Sequence, residues 1–330
     1  MTIKIGVIGT GAMGKNHARV CAELPNVELV GIVDVDGAMM EKIAQRFDVP
    51  TYTDYRELLS YIDAAIVATP TVMHYTIASE LVDAGKHILV EKPVCNTVEK
   101  GKQLISKADD KGVVFAVGHI ERHNPVVSFI KKALNNGQLG DLVSLTSKRV
   151  SNFPGRIRDV GVIFDFGVHD IDIMRYIAGE VTSVYAKAGK FNKKIDYEDH
   201  ATIMLNFKNE LCGVIEVNWL TPTKIRKLSL TCEHSFVEAD FIDQSVEISS
   251  SSFQHVDEQN LFDISIQNQI TEMTLQKKEP LKNEIEDFLD AIDKNSKPLV
   301  TGYDGLMAVK IAEAAVRSAK TNEVISINDS

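Results

Sequence analysis

The sequence predicts an α/β protein of two domains, a doubly wound parallel sheet followed by an α+β domain whose open sheet is mostly antiparallel. Three observations predict it. The first hundred or so residues alternate short apolar runs with amphipathic stretches, the grammar changes near Gly118 to consecutive strand-like runs, and the length of 330 residues exceeds what one core usually fills. The expected domains are residues 1–120 and 121–330, with a C-terminal helix at 303–319 that packs back on the first domain.

The elements follow in order. Residues 3–8 form a β-branched run ending in glycine, after which His17, Val20, Cys21 and Leu24 recur at helical spacing. Strands are then expected at 29–33, 64–68, 87–90 and 113–117, apolar on both faces as in a covered parallel sheet. The helices between them carry Met40, Ile43, Ala44 and Phe47, then Ile77, Leu81 and Val82, then Leu104, Ile105 and Ala108. Beyond Gly118 come a helix at 125–135, a strand at 142–150 and a helix at 165–178. Strands are named at 181–188, 201–207, 211–217, 228–232 and 235–241, and strand-like character continues to about residue 275. Helices at 281–293 and 303–319 close the chain.

Composition narrows the function. A net charge of −10 disfavours a general affinity for nucleic acid or anionic membrane. The longest uncharged stretch, 64–79, is too short for a membrane span and is interrupted by Pro70 and His74. Cys21, Cys95, Cys212 and Cys232 show no Cys-x-x-Cys pairing and no secretory segment precedes them, so reduced thiols and a cytoplasmic location are expected.

Gly9-Thr10-Gly11-Ala12-Met13-Gly14 lies between a predicted strand and helix, the context of a dinucleotide-binding loop. Gly9 permits the turn, Gly11 admits the pyrophosphate, Gly14 lets helix and strand approach, and the helix start favours the phosphates. Asp34 ends the second strand, placed for a ribose diol, and no Arg or Lys follows until Lys42, which favours NAD over NADP. Asp34 as a plain surface carboxylate is the alternative. Thr69, Pro70 and His74, after the strand at 64–68, are further candidates on the cofactor side, as are Glu91 and Lys92.

Oxidising a secondary alcohol requires a base for the proton and a cation for the developing alkoxide. Lys92, followed by Pro93, ends a strand of the first domain at the edge where such sheets bind ligands. Its bland alternative is a surface lysine. Asp165, His169 and Asp172 fall at i, i+4 and i+7 on an otherwise apolar helix. His169 is a candidate proton acceptor with Asp165 beside it, against a helix cap and a core histidine. An Asp-x-x-x-His metal pair lacks a nearby third ligand, so no metal is expected. Residues 148–158 carry Lys148, Arg149, Arg156 and Arg158 with no acidic residue, and Lys224, Arg226 and Lys227 recur later. A diphosphate would use such cations; a solvated basic strand is the alternative.

The Gly9 loop, Glu91-Lys92-Pro93 and Asp165-x-x-x-His169-Asp170, in this order, resemble the glucose-fructose oxidoreductase and inositol dehydrogenase family over essentially the whole chain. The resemblance implies that Lys92 and His169 act on the substrate hydroxyl, in either order, with Asp165 positioning substrate or His169. It also implies a C-terminal open sheet used for homo-oligomer contacts, a dimer or tetramer. Residues 118–125, 154–162 and 218–224 are similar to the branch of UDP-N-acetylglucosamine 3-dehydrogenases, which make a 3-keto sugar. That likeness implies a UDP-sugar as the small-molecule partner and makes Glu121, Arg122, Asn124, Arg156 and Arg158 substrate-binding candidates. Salt bridges and a helix start before Pro125 are the alternative for these residues. A free-sugar or inositol dehydrogenase is the competing enzyme reading, and a non-catalytic, NAD-responsive regulator the competing class.

Overall fold

A computed structural model describes residues 2–153, 155, 160–256 and 264–327. The chain divides into two units, Met1–His123 with Glu279–Lys310, and Asn124–Lys278 with Ile311–Ser330. The first break falls close to the expected residue 120. The return of residues 279–310 to the first unit differs from the expected division and starts before the 303–319 helix foreseen to pack there.

The first unit is built on a six-stranded sheet of β1 (Ile3–Ile8), β2 (Val27–Val33), β3 (Thr51–Tyr52), β4 (Ala64–Val67), β5 (His87–Glu91) and β6 (Phe115–Gly118). Their order is β3-β2-β1-β4-β5-β6 and every pairing is parallel. Helices α1 (Gly14–Glu23), α2 (Gly37–Phe47), α3 (Thr71–Asp83) and α4 (Val98–Lys111) make the crossovers. Later helices are α5 (Pro125–Asn135), α6 (Val168–Ala178), α7 (Pro280–Asp293) and α8 (Gly302–Thr321). The order reverses at β1 and β4, which makes the end of β1 a topological switch point, where open α/β sheets take their ligands.

All four residues of β4 are buried, as a strand covered on both faces requires. Leu281, Ile285, Phe288 and Leu289 of α7 join the cluster around Ile5, Val7, Ala18, Val20 and Ile66, and this burial returns α7 to the first unit.

The second unit carries nine strands: β7 (Leu142–Asn152), β8 (Val181–Gly189), β9 (His200–Phe207), β10 (Cys212–Asn218), β11 (Leu220–Cys232), β12 (Phe236–Asp240), β13 (Ser245–Val256), β14 (Ile264–Met273) and β15 (Ile325–Ser326). Their order is β14-β13-β12-β11-β7-β10-β9-β8-β15. Only β7 and β10 pair in parallel among the described strands. Two details differ from the sequence expectation. The five named runs recover β8 to β12, whereas β13, with four consecutive serines at 249–252, lacks an apolar alternation to announce it. The helix expected at 165–178 is α6 preceded by a single π turn, Ile163–Gly167, a local widening frequent at functional sites. Among the described residues no helix is long and apolar enough to cross a membrane.

Candidate functional site

The loop after β1 is shaped by close backbone approach. Gly9 has φ +93°, and a Cβ on it would stand 2.6 Å from the Ala68 carbonyl oxygen. A Cβ on Gly14 would stand 1.8 Å from the Gly9 carbonyl oxygen, so no side chain fits there. A Cβ on Gly11 would meet nothing within 4 Å, open space of the kind a pyrophosphate needs to reach the backbone. The first turn of α1 has no acidic residue and no side-chain cap, so no carboxylate competes with phosphate at its positive end.

Asp34 lies just beyond β2 and is half-buried. Its Oδ2 accepts from the Thr10 amide at 2.5 Å and the Thr10 hydroxyl at 2.7 Å, and its Oδ1 accepts from the Asp36 amide at 3.0 Å. Burial alone would raise the Asp34 carboxyl, but these donors outweigh it and hold the group below the usual carboxylate range. An ionised Asp34 tied to Thr10 suits a ribose diol and opposes a 2′-phosphate.

At the far end of β5, Lys92 is half-buried and the Lys92–Pro93 peptide is cis. Pro93 is bound in turn by His74, which is buried with Nδ1 2.9 Å from the Pro93 carbonyl oxygen and Nε2 2.8 Å from that of Thr69. Burial lowers the His74 pKa. A neutral ring has one N–H and donates to only one of these carbonyls at a time. His74 thereby links the segment after β4, where Thr69 is half-buried and Pro70 exposed, to the segment after β5. Glu91 is committed internally: Oε1 lies 2.7 Å from His17 Nε2 and Oε2 accepts from the Lys92 amide at 3.2 Å.

In the second unit, Asp165 sits in the π turn at 8% exposure and His169, in the first turn of α6, is half-buried. Asp172 is 1% exposed. Phe166 packs edge-on against Trp219 at 6.3 Å, and Phe153 meets the same ring at 5.4 Å, which anchors the π turn to the start of β11. Asp170, beside His169, is held in an ion pair: its Oδ2 is 2.7 Å from Nε of Arg149, and both residues are buried.

That pair alters the reading of the basic run. Arg149 is committed to Asp170 in a buried pair and is no spare cation for a diphosphate, whereas Lys148 lies 3.1 Å from Glu216 in an exposed pair. Arg156 and Arg158 lie outside the described residues. Arg122, 4% exposed, bonds Asp304 at 2.9 Å and the Leu299 carbonyl at 3.2 Å. Asn124 caps α5 through the Val126 amide and donates to the Phe241 carbonyl at 3.1 Å. These contacts are of the kind that the salt-bridge and helix-start alternative names for Arg122 and Asn124. Glu121 is buried at 6% exposure.

Two residues escaped the sequence reading. His17 and Glu284 are fully buried, and His17, Glu91 and Glu284 are the one group of His, Cys, Asp and Glu side chains among the described residues close enough to hold a metal ion. The available signal was a polar residue on an apolar helix face: His17 with Val20 and Cys21, Glu284 with Leu281, Ile285 and Phe288.

A parallel sheet with this glycine loop and acidic partner defines an NAD-binding oxidoreductase, in which Gly9, Gly11, Gly14, Thr10 and Asp34 fit the dinucleotide. Residues 3–119 match the model of the oxidoreductase family with NAD-binding Rossmann fold, and residues 127–238 match the GFO/IDH/MocA C-terminal domain. The chain belongs to the GFO/IDH/MocA oxidoreductase family, whose NAD-dependent members act on sugars and polyols. It is 29% identical to an inositol 2-dehydrogenase of Rhizobium meliloti, over 99% of this chain and 100% of the relative. It is 26% identical to the UDP-N-acetylglucosamine 3-dehydrogenase of Acidithiobacillus ferrooxidans, over 96% of each chain. A solved structure of the latter superposes with a TM-score of 0.86 at 25% identity, covering 97% of this chain and 98% of that one. A levoglucosan dehydrogenase solved with NADH and levoglucosan shares the fold, with a TM-score of 0.86 at 21% identity over the whole of both chains.

Proposed function

We propose that this protein oxidises a hydroxyl of a nucleotide sugar with NAD, most specifically C3 of UDP-N-acetylglucosamine, giving the 3-keto sugar. The observation that carries the chemistry is the half-buried Lys92 at the carboxyl end of β5, beside the switch-point crevice of an NAD-binding sheet. His169 takes the proton from the hydroxyl, Lys92 stabilises the developing alkoxide, and Asp165 positions His169 or the substrate. Gly9, Gly11, Gly14 and Asp34 would hold NAD, which would supply the hydride acceptor. Arg156 and Arg158 supply cations for the diphosphate, and the full-length likeness to a UDP-N-acetylglucosamine 3-dehydrogenase supports that substrate. The homo-oligomer expected of the open sheet belongs to the same reading.

One observation favours a neutral polyol instead. Arg149 is already paired in the interior, which leaves the basic run poorer in spare charge than its sequence suggests. The protein incubated with NAD, a ketone trap and a panel of UDP-sugars and myo-inositol separates the two. NADH formation with UDP-N-acetylglucosamine is expected; turnover of inositol alone would establish the polyol reading. NAD binding without turnover across the panel would point to a regulator. Lys92→Ala and His169→Ala should each abolish turnover while NAD affinity stays within about threefold, and unchanged turnover in both would sink the assignment.

A further inference from the structure

The core of the first unit encloses His17, Glu91 and Glu284, at 0%, 6% and 2% exposure, with ligand-type atoms all within 4.8 Å of one another. His17 comes from the buried face of α1, Glu91 from the last position of β5 and Glu284 from the buried face of α7. One carboxylate, Glu91, is fully engaged, with His17 Nε2 on Oε1 and the Lys92 amide on Oε2. His17 Nδ1 and both Glu284 oxygens are buried with no hydrogen-bond partner.

Two carboxylates this close and this dry cannot both be ionised. Burial first, then the Glu91 charge and that of Asp287, pushes the Glu284 carboxyl well above its ordinary range. Burial would raise Glu91 too, but the His17 hydrogen bond and charge, helped by Lys92, hold it below. The proton therefore resides on Glu284 and the negative charge on Glu91.

We propose that His17, Glu91 and Glu284 form a buried positioning cluster for Lys92, in which His17 orients the Glu91 carboxylate, Glu91 holds the Lys92 backbone at the end of β5, and Glu284 lies beside them in the same buried volume. The inference rests on the reading that Lys92 acts on the substrate hydroxyl. A displacement of about 1 Å at a reacting group costs on the order of a hundredfold in rate, so a residue that fixes that backbone is felt in turnover. A divalent cation held by the same three side chains is the competing occupant. The 2.7 Å separation of His17 Nε2 and Glu91 Oε1 argues against it, because at that distance a shared proton lies where both ligands would have to face an ion.

The test uses the full-length protein and its His17→Leu, His17→Gln, Glu91→Gln, Glu284→Gln and Lys92→Ala variants. Each is assayed with NAD and UDP-N-acetylglucosamine, or with myo-inositol should that be the substrate found, alongside NAD affinity and melting temperature. Glu91→Gln and His17→Leu should lower kcat by at least about tenfold, with KM and NAD affinity within about threefold. His17→Gln, which keeps an N–H donor, should recover most of the loss. A fall in melting temperature with kcat unchanged in both would reduce the cluster to a structural role and overturn the proposal.

The proton on Glu284 is read without any substrate. The wild type should show the infrared C=O stretch of a protonated carboxyl that Glu284→Gln lacks. A raised pKa means that the Glu284 contribution to stability is complete below about 4.5 and is lost as pH rises. Glu284→Gln should therefore match the wild type in acid and melt higher toward neutral pH. Absence of the stretch, or a stoichiometric metal ion in the purified protein that His17→Leu removes, would overturn the cluster as drawn. Should Lys92→Ala keep full turnover, the catalytic reading fails while the infrared and metal results still decide the state of the cluster. Should Lys92→Ala be inactive with Glu91→Gln and His17→Leu unaffected, the positioning fails alone.

Discussion

Asp170 in the second unit and Glu284 in the first are equally hidden, each 2% exposed, yet their surroundings are opposite. Asp170 meets the guanidinium of Arg149 at 2.7 Å, whereas Glu284 is packed near a second carboxyl, Glu91, and neither of its oxygens has a hydrogen-bond partner. Burial alone does not set the state of a carboxyl. The charge standing beside it counts as well: Arg149 offers Asp170 a cation, whereas at Glu284 burial acts first and the Glu91 charge adds to it in the same direction. Asp304 in the first unit belongs with Asp170, since Arg122 lies 2.9 Å from it.

Removing the cation from the first kind of carboxyl should give the largest effect. Arg149→Met leaves Asp170 buried without its guanidinium and should cost about 3–5 kcal/mol in denaturant unfolding. The double variant Arg149→Met/Asp170→Leu should regain most of that, and failure to regain it would mean that the pair serves more than its own charges. Acid should expose the next effect. Burial would raise the Asp304 carboxyl, but Arg122 and the Thr301 donors hold it at about 2, from an unfolded value of 3.8. A depressed pKa contributes stability above 3.8 that is lost as pH falls toward about 2, on the order of 2 kcal/mol. Asp304→Asn should flatten that part of the stability curve, and an unchanged curve would show that the ion pair is not what protects the carboxylate.

The smallest effect belongs to Asp34, a half-buried carboxylate answered only by neutral donors. Thr10→Val removes the 2.7 Å hydroxyl bond and should weaken NAD binding by about fivefold, roughly 1 kcal/mol, measured by titration calorimetry. Tighter binding in the variant would show that Thr10 competes with the ribose for Asp34.

Much of the first unit was legible because parallel strands and dinucleotide loops follow local rules. The run at 3–8, the three glycines and Asp34 lie within a short stretch of chain, and each glycine answers a steric demand written into the backbone there. The strands at 64–68 and 87–90 were visible for the same reason, since strands covered on both faces are apolar throughout. The second unit was read less fully. The serine-rich β13 has no pattern to detect, and the π turn at Ile163–Gly167 has no compositional mark.

Among the candidate site residues, the alternation of strands placed Lys92 at a strand end and helical spacing placed His169 in α6, whereas Asp165 falls in the π turn before it. Charge counting along 148–158 misjudged Arg149, because Asp170, which pairs with it in the interior, comes from a separate helix. Arg122 and Asn124 likewise meet groups far along the chain, Asp304 and the Phe241 carbonyl.

By itself the sequence determined the parallel sheet, the NAD loop with Asp34, the placing of Lys92 at a strand end and of His169 on a helix, and the change to a mostly antiparallel sheet after Gly118. These depend on periodicity and on neighbours a few residues away. Only the tertiary structure decided that α7 returns to the first unit, that Arg149 belongs to Asp170, and that His17, Glu91 and Glu284 share one buried volume. The physical reason is that a charge takes its state from whatever the fold packs against it, and for these residues those partners lie about 20 to 270 positions away.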